Sequence, residues 1–458
     1  VAFAFADHRD LVAPVAAVAG WGGFAGYVLW QGTGGPPLIW TDTTSYAIVA
    51  GHSLLSTGFW AGQRPPAVPL LLKMVNSSYA FTDLQSLIAV AAWGFLAFTV
   101  GRMVSPGWRR LVAVWTVLAF ATSTPIVLWN RSVLSESLSL SLLALLVAAV
   151  IWAARRLTWP RVAAVALSAL AFAATRDTQV WTVALLGVVV AVAALVGAVH
   201  HRRFPRRMGV LALSLLAAAG ATGWDVVHTG RSEQNLEHVL YVRVFPFPRR
   251  VAWFAAHGMP DARWIDTVAA ATAPPSPGAA TVVGSEQLVG PRFASLEHWM
   301  VTKGESAYLL WLVTHPLFIV TEPLARPERA FNFADGSLTF YAAPTRVDSP
   351  LSDLLWPAWW WMLPMTVVAV GAAAVTRTWR ENSWRAVMVL GAVGIVTILV
   401  AWNGDGEEVA RHTVEGLAEV HLCVLIAATV GVLTVIPRRR RRPPGAVVDR
   451  VGSQAVEK

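Results

Sequence analysis

Apolar stretches of roughly 18–24 residues recur along the chain, each long enough to cross about 30 Å of hydrocarbon as a helix. Hydrocarbon offers the backbone no hydrogen-bond partners, so stretches of this length must satisfy themselves as helices. A membrane barrel would instead show short alternating segments. Charged residues make up only 14% of the chain and hydrophobic ones 55%, against about 25% charged in soluble domains. The predicted fold class is an all-α integral membrane protein of about ten transmembrane helices with one long extracytoplasmic loop. The spans fall at 11–30, 84–101, 111–129, 134–153, 161–175, 179–199, 208–228, 353–376, 386–402 and 414–436. The first follows Arg9 and reads as a retained anchor. The apolar 66–75 stretch is too short to span and reads as interfacial or re-entrant.

The formal charge of +9 rests on 33 arginines and only 3 lysines. A basic chain can signal nucleic acid, but here the arginines punctuate the spans. They group at Arg102, Arg109 and Arg110, at Arg155, Arg156 and Arg161, between His200 and Arg207, at Arg377, Arg380 and Arg385, and at Arg438 to Arg442. These are alternate connections. The positive-inside rule then sets both termini in the cytoplasm and the long loop outside. The arginine-for-lysine skew with abundant Ala and Val suggests a GC-rich bacterial genome, hence a multi-pass protein of a bacterial plasma membrane. The 23 tryptophans lie largely at span ends, where the indole ring prefers the headgroup level.

Four regions follow: an N-terminal transmembrane module over 1–228, an extracytoplasmic loop or cap with short interfacial helices over 229–352, a C-terminal transmembrane module over 353–436, and a basic cytoplasmic tail over 437–458. Within the loop, 271–278 (ATAPPSPG) reads as a linker and 308–320 (YLLWLVTHPLFIV) as an interfacial helix. Arg243, Arg249 and Arg250 are candidates for an acidic ligand or for a solvated face.

Cys423 is the only cysteine, which excludes an internal disulfide or a Cys-type zinc site. No Walker loop, dinucleotide fingerprint, HExxH or GxSxG is present. Function must therefore be read from polar residues placed where a bilayer makes them costly. Four groups stand out: Asp42 with Tyr46 and Arg64 in the first outer connection, Arg131 with Glu136, Arg176 with Asp177, and Arg411 with His412 beside Asp405, Glu407 and Glu408. Each has a plainer reading, as a helix cap, a snorkelling side chain or a solvated pair. All four fall on one face of the predicted topology. A pocket joining carboxylates and arginines there suits chemistry on a lipid-linked phosphate, with arginines gripping the phosphate and a carboxylate taking a proton.

Asp42 followed by Tyr46, then Arg64-Pro65-Pro66 with Pro69-Leu70-Leu71-Leu72, Leu134-Ser135-Glu136-Ser137 heading a span, and Arg176-Asp177-Thr178 together resemble the GT-C superfamily of membrane glycosyltransferases. The likeness is closest to polyprenyl-phosphate-sugar-dependent, family-39-like members and covers roughly residues 30–230. It implies a GT-C-like bundle that moves a hexose or pentose from a polyprenyl-phosphate carrier to an extracytoplasmic glycan, lipid or protein of the cell envelope. On that resemblance Asp42, with Glu136 and Asp177, carries the catalysis. Tyr46, Arg64, Arg131, Arg176, Arg411 and His412 bind the substrate and its phosphate. No metal ligand set or other cofactor is indicated, and no nucleic-acid partner. Many such members carry two acids in the first loop, whereas Asp42 stands alone until Asp83. The transferase reading predicts a cavity with Asp42 and an arginine at its floor. A transporter or flippase for an anionic or lipid-linked substrate would need charges at midmembrane. A non-catalytic subunit would leave Asp42 as an ordinary cap.

Overall fold

The computed structural model describes residues 8–201, 205–229, 231–260, 293–331, 351–406 and 409–436. The 271–278 linker, Glu407, Glu408 and the basic tail lie outside them. The described chain is helical throughout, and its one β-type contact is an isolated parallel bridge between Leu38 and Ser132.

In chain order the helices are α1 (His8–Thr33), α2 (Thr41–Gly51), α3 (Thr57–Trp60), α4 (Ala67–Val75), α5 (Ser78–Gly101), α6 (Trp108–Ala121), α7 (Thr124–Val127), α8 (Glu136–Arg155), α9 (Trp159–Ala173), α10 (Asp177–His201) and α11 (Arg206–His228). There follow α12 (Arg231–Val239), α13 (Pro248–Ala256), α14 (Ala294–Trp299), α15 (Glu305–Thr314), α16 (Pro316–Leu324), α17 (Pro327–Ala330), α18 (Ser352–Leu355), α19 (Met362–Thr376), α20 (Asn382–Gly404) and α21 (Val409–Val435). Helices stand at all ten predicted span positions. Seven of the described helices are long and apolar enough to cross a membrane, or up to nine if each of two bent pairs crosses as one. α9 is a shorter apolar helix of 15 residues.

The expected 111–129 span is broken. α6 and the Thr124–Arg131 segment meet at 54°. Pro125 stands near the start of the second piece, where it lacks an N–H and clashes with the preceding turn. The polar groups at the break find partners: Thr124 N donates to Ser352 Oγ at 2.8 Å, and Trp356 Nε1 donates to Ser123 Oγ at 2.8 Å. The apolar 308–320 stretch bends by 86° at His315–Pro316, for the same reason.

α5, α8, α20 and α21 form the centre of the bundle, with α8 packed on α5, α9 and α20. α8 and α21 are mostly buried because their neighbours surround them. α20 and α21 approach closely. A Cβ on Gly416 would fall 2.8 Å from Ile398 Cγ1 and 3.0 Å from the Gly394 carbonyl, so a small residue is needed there, as membrane helix pairs commonly require.

Residues between 231 and 331 carry a separate apolar core of Leu240, Phe254, Leu296, Trp299 and their neighbours. It docks on the end of α20. Tyr308 donates to the Asn403 carbonyl at 2.8 Å, and buried Arg243 donates to the Asp405 carbonyl at 2.8 Å while stacking on Trp402. Burial pushes the Arg243 pKa down to about 10. Arg250 pairs with Glu322 at 2.8 Å, and Arg249 is exposed. Arg243 thus serves docking; it is not part of a solvated face. The seam leaves no room at Gly406, where a Cβ would lie 2.1 Å from the His238 carbonyl. Gly406→Ala should loosen the docked segment and speed its cleavage by added protease severalfold. Unchanged cleavage would show that the seam can yield without cost.

Candidate functional site

The first loop is tied to the turn before α8. Leu38 N donates to the Arg131 carbonyl at 2.8 Å, and Val133 N returns to Leu38 O at 3.0 Å. Thr43 caps α2: its Oγ1 accepts from Trp40 N at 3.0 Å and donates to Val133 O at 2.9 Å. Capping by Thr43 leaves the Asp42 carboxylate for other partners, and the same bonds hold Asp42 above Glu136, the first residue of α8.

Two arginines clasp Asp42. Arg64, from the α3–α4 connection, reaches Oδ1 with Nη2 at 2.5 Å, and Arg411, near the start of α21, reaches Oδ2 at 2.8 Å. Arg64 also donates from Nε to Ser45 Oγ at 2.6 Å, with Tyr46 under its guanidinium at 5.3 Å. Arg411 turns its Nε to Glu136 Oε1. Arg176, in the turn before α10, shares that oxygen at 3.2 Å and pairs with Glu415 at 3.0 Å. Its other nitrogen, Nη2, lies 3.0 Å from His412 Nδ1.

A guanidinium can only donate. His412 Nδ1 is therefore an acceptor, and its proton sits on Nε2, 3.1 Å from Asp405 Oδ2. The other Asp405 oxygen meets His238 Nδ1 at 3.1 Å. An unbroken polar chain thus runs from Arg64 through Asp42, Arg411, Glu136, Arg176, His412 and Asp405 to His238 in the docked segment.

Exposure separates the roles. The Glu136 side chain is fully buried, whereas Asp42 keeps 18%, His412 24% and Arg64 32% of theirs open. Burial alone would raise the Asp42 pKa, but Arg411 and Arg64 outweigh it and hold the carboxyl below its ordinary range. Tyr46 is buried beside them, which raises its phenol pKa. Within the cluster Arg64, Arg176 and Arg411 balance Asp42, Glu136 and Glu415.

The structure thus brings together Asp42, Tyr46, Arg64, Glu136, Arg176, Arg411 and His412. Arg131 is turned away to the Pro36 carbonyl at 3.1 Å. Asp177 opens α10 half-buried and takes no part in the bonds above. Glu136, sealed between two guanidiniums, is built to hold arginines, and His412 has both ring nitrogens engaged. Sequence reasoning missed Glu415 and the bridging part of Asp405. Glu415 could have been found from its spacing, one helical turn beyond Arg411 on the same helix. A cavity of about 620 Å³ opens beside the site, lined by the first loop, α9 and α11; Asp42 is not in its wall. Among the described residues no three His, Cys, Asp or Glu side chains gather as a metal site would need. The chain matches no known protein-family model and no curated protein sequence.

Proposed function

We propose that the chain is a membrane glycosyltransferase that moves a sugar from a polyprenyl-phosphate carrier to an extracytoplasmic acceptor. In this reading the bundle crosses a bacterial plasma membrane ten times, with both termini cytoplasmic and the 229–352 region outside. The observation that carries it is the partly open Asp42 carboxylate clasped by Arg64 and Arg411 at one end of the bundle. Arginine pairs of this kind recognise phosphate oxygens. A carrier phosphate competing for those guanidiniums would release Asp42 from them. The freed carboxylate is the stronger base, so the site gains proton affinity when the donor is bound. The acceptor hydroxyl then attacks the anomeric carbon, its proton passes to Asp42, and the carrier phosphate leaves held by Arg64 and Arg411. Glu136, Glu415 and Arg176 keep Arg411 in place. Purified protein given a radiolabelled polyprenyl-phosphate sugar and envelope extract should release unlabelled carrier phosphate and a labelled acceptor. No release across hexose and pentose donors would remove the reading.

One observation favours a carrier for anionic substrates instead. Glu419 lies about 15 Å along α21 from its start, is 1% exposed, and has an oxygen with no hydrogen-bond partner. Buried acids at that depth mark ion or proton pathways. Under the transferase reading, Glu419→Gln should leave transfer intact, since Glu419 takes no part in the Asp42, Arg64 and Arg411 cluster. Abolished proton-dependent uptake in vesicles would favour the carrier.

A further inference from the structure

Arg243 lies in the seam between the docked segment and the end of α20, with 2% of its surface exposed. Its guanidinium stacks over Trp402 at 4.3 Å and commits one nitrogen, Nη2, to the Asp405 carbonyl at 2.8 Å. A guanidinium carries five N–H donors. Those on Nε and Nη1 meet no acceptor among the described residues. The carboxylates in its vicinity are engaged elsewhere. Glu322 pairs with Arg250 at 2.8 Å, and Asp405 divides its oxygens between His238 and His412 at 3.1 Å each. Half-buried Arg326 adds a further positive charge close enough to act on Arg243. Arg243, Arg250 and Arg326 thus share the two carboxylates Glu322 and Asp405. Burial lowers the Arg243 pKa only to about 10, so the guanidinium stays charged through the neutral range. A buried charge without a counter-charge is costly.

Donors outnumber acceptors at the same place. Trp402, 3% exposed, has an indole Nε1 that also meets no acceptor, while on the acceptor side Asn403 Oδ1 lacks a donor. A water molecule brings donors as well as acceptors and no charge, so it could serve Asn403 but would leave the surplus positive charge unanswered. A ligand that only accepts and carries one negative charge answers both. The seam also limits its size. A Cβ on Gly406 would stand 2.1 Å from the His238 carbonyl, and Tyr308 closes on the Asn403 carbonyl at 2.8 Å. Contacts that tight suit a single-atom anion and not a phosphate or a carboxylate with its carbon chain.

We propose that Arg243 and Trp402 hold a halide ion, chloride in ordinary media, which locks the docked segment to the end of α20. The ion accepts from the open N–H groups of the guanidinium and from the indole N–H. The site is independent of sugar transfer. To test it, the full chain in detergent would be exposed to added protease while sodium gluconate is replaced stepwise by sodium chloride at constant ionic strength. Cleavage within the docked segment follows its undocked fraction. It should slow along a saturating curve, by at least about fivefold at about 100 mM chloride for a dissociation constant of about 25 mM. Bromide should act as chloride does, and sulfate should not. The chlorine NMR line of chloride in solution should broaden with the parent protein. Arg243→Met should abolish both responses, whatever it does to the basal cleavage rate. Trp402→Phe keeps an aromatic face under the guanidinium and removes one donor, so it should raise the half-saturating chloride concentration about fivefold. Arg249→Gln, at an exposed arginine, should respond as the parent does. Equal cleavage in gluconate and chloride is the result that a seam holding only water would give, and it overturns the site. So does a response that never saturates, or one left unchanged by both Arg243→Met and Trp402→Phe.

Discussion

Glu136→Gln should destabilise the fold by about 3–5 kcal/mol, the usual cost of removing one partner from a buried ion pair. The exchange keeps the side chain's volume and removes only its charge. Glu136 is fully buried, and both Arg176 and Arg411 lie on its Oε1. Arg176 would retain Glu415 and Arg411 would retain Asp42, but three guanidiniums would then face two carboxylates where water is scarce. Little screening is available to offset the imbalance, in contrast to the Arg64–Asp42 pair. Arg64 is a third exposed, so Arg64→Gln should cost only about 0–1 kcal/mol. The comparison is read by unfolding the detergent-solubilised protein in denaturant, with the two variants side by side. Equal stability of Glu136→Gln and the parent would mean that Glu415 and Asp42 suffice to balance the buried guanidiniums without Glu136.

The elements were legible in the sequence wherever the physics of the bilayer acts locally. Runs such as Leu138 to Ile151 admit one solution in hydrocarbon, and α8 forms there. Alternation of arginine-bearing connections led to Asp42, Arg64, Glu136, Arg176 and Arg411 as residues of one face, and in the structure these five side chains form one bonded network. What could not be read was their division of labour. Composition does not reveal that Glu136 is sealed while Asp42, one layer above, is open, because that depends on Thr43 taking the cap of α2 and on Val133 accepting its hydroxyl. Arg131 was drawn toward the site by its neighbours in sequence, yet the Pro36 carbonyl holds it elsewhere. The bends at Pro125 and Pro316 were open to prediction from the missing N–H of proline, but the side chains that satisfy the Pro125 break come from Ser352 and Trp356, more than two hundred residues away. Asp405 was visible only as one charge in a loop. Its role as the joint between His412 and His238 arises from the docking of a separate apolar core, which no local pattern encodes.

Asp42→Asn should lower the rate of sugar transfer by about 10²–10⁴-fold, the range a positioned general base contributes, with carrier binding reduced far less. Asparagine is nearly the same shape and still accepts a hydrogen bond from Arg64 or Arg411, so both arginines stay near their positions for the phosphate. It cannot take the acceptor's proton. The pH dependence tests the same assignment with a definite sign. In the unliganded protein the two arginines hold the Asp42 pKa below its ordinary value of 3.8, so the carboxylate is charged through the neutral range. Its ion pairs therefore stabilise the fold above that value, and the contribution fades as pH falls through the lowered one. The parent should accordingly lose stability below about pH 4 more steeply than Asp42→Asn. In kcat, which reports the donor-bound state, the acid limb of the parent should lie at higher pH than the limb in kcat/KM, because the phosphate has drawn the arginines off the carboxylate. Coinciding limbs would mean that the donor leaves the clasp on Asp42 closed. Full activity in Asp42→Asn would move the base to another residue.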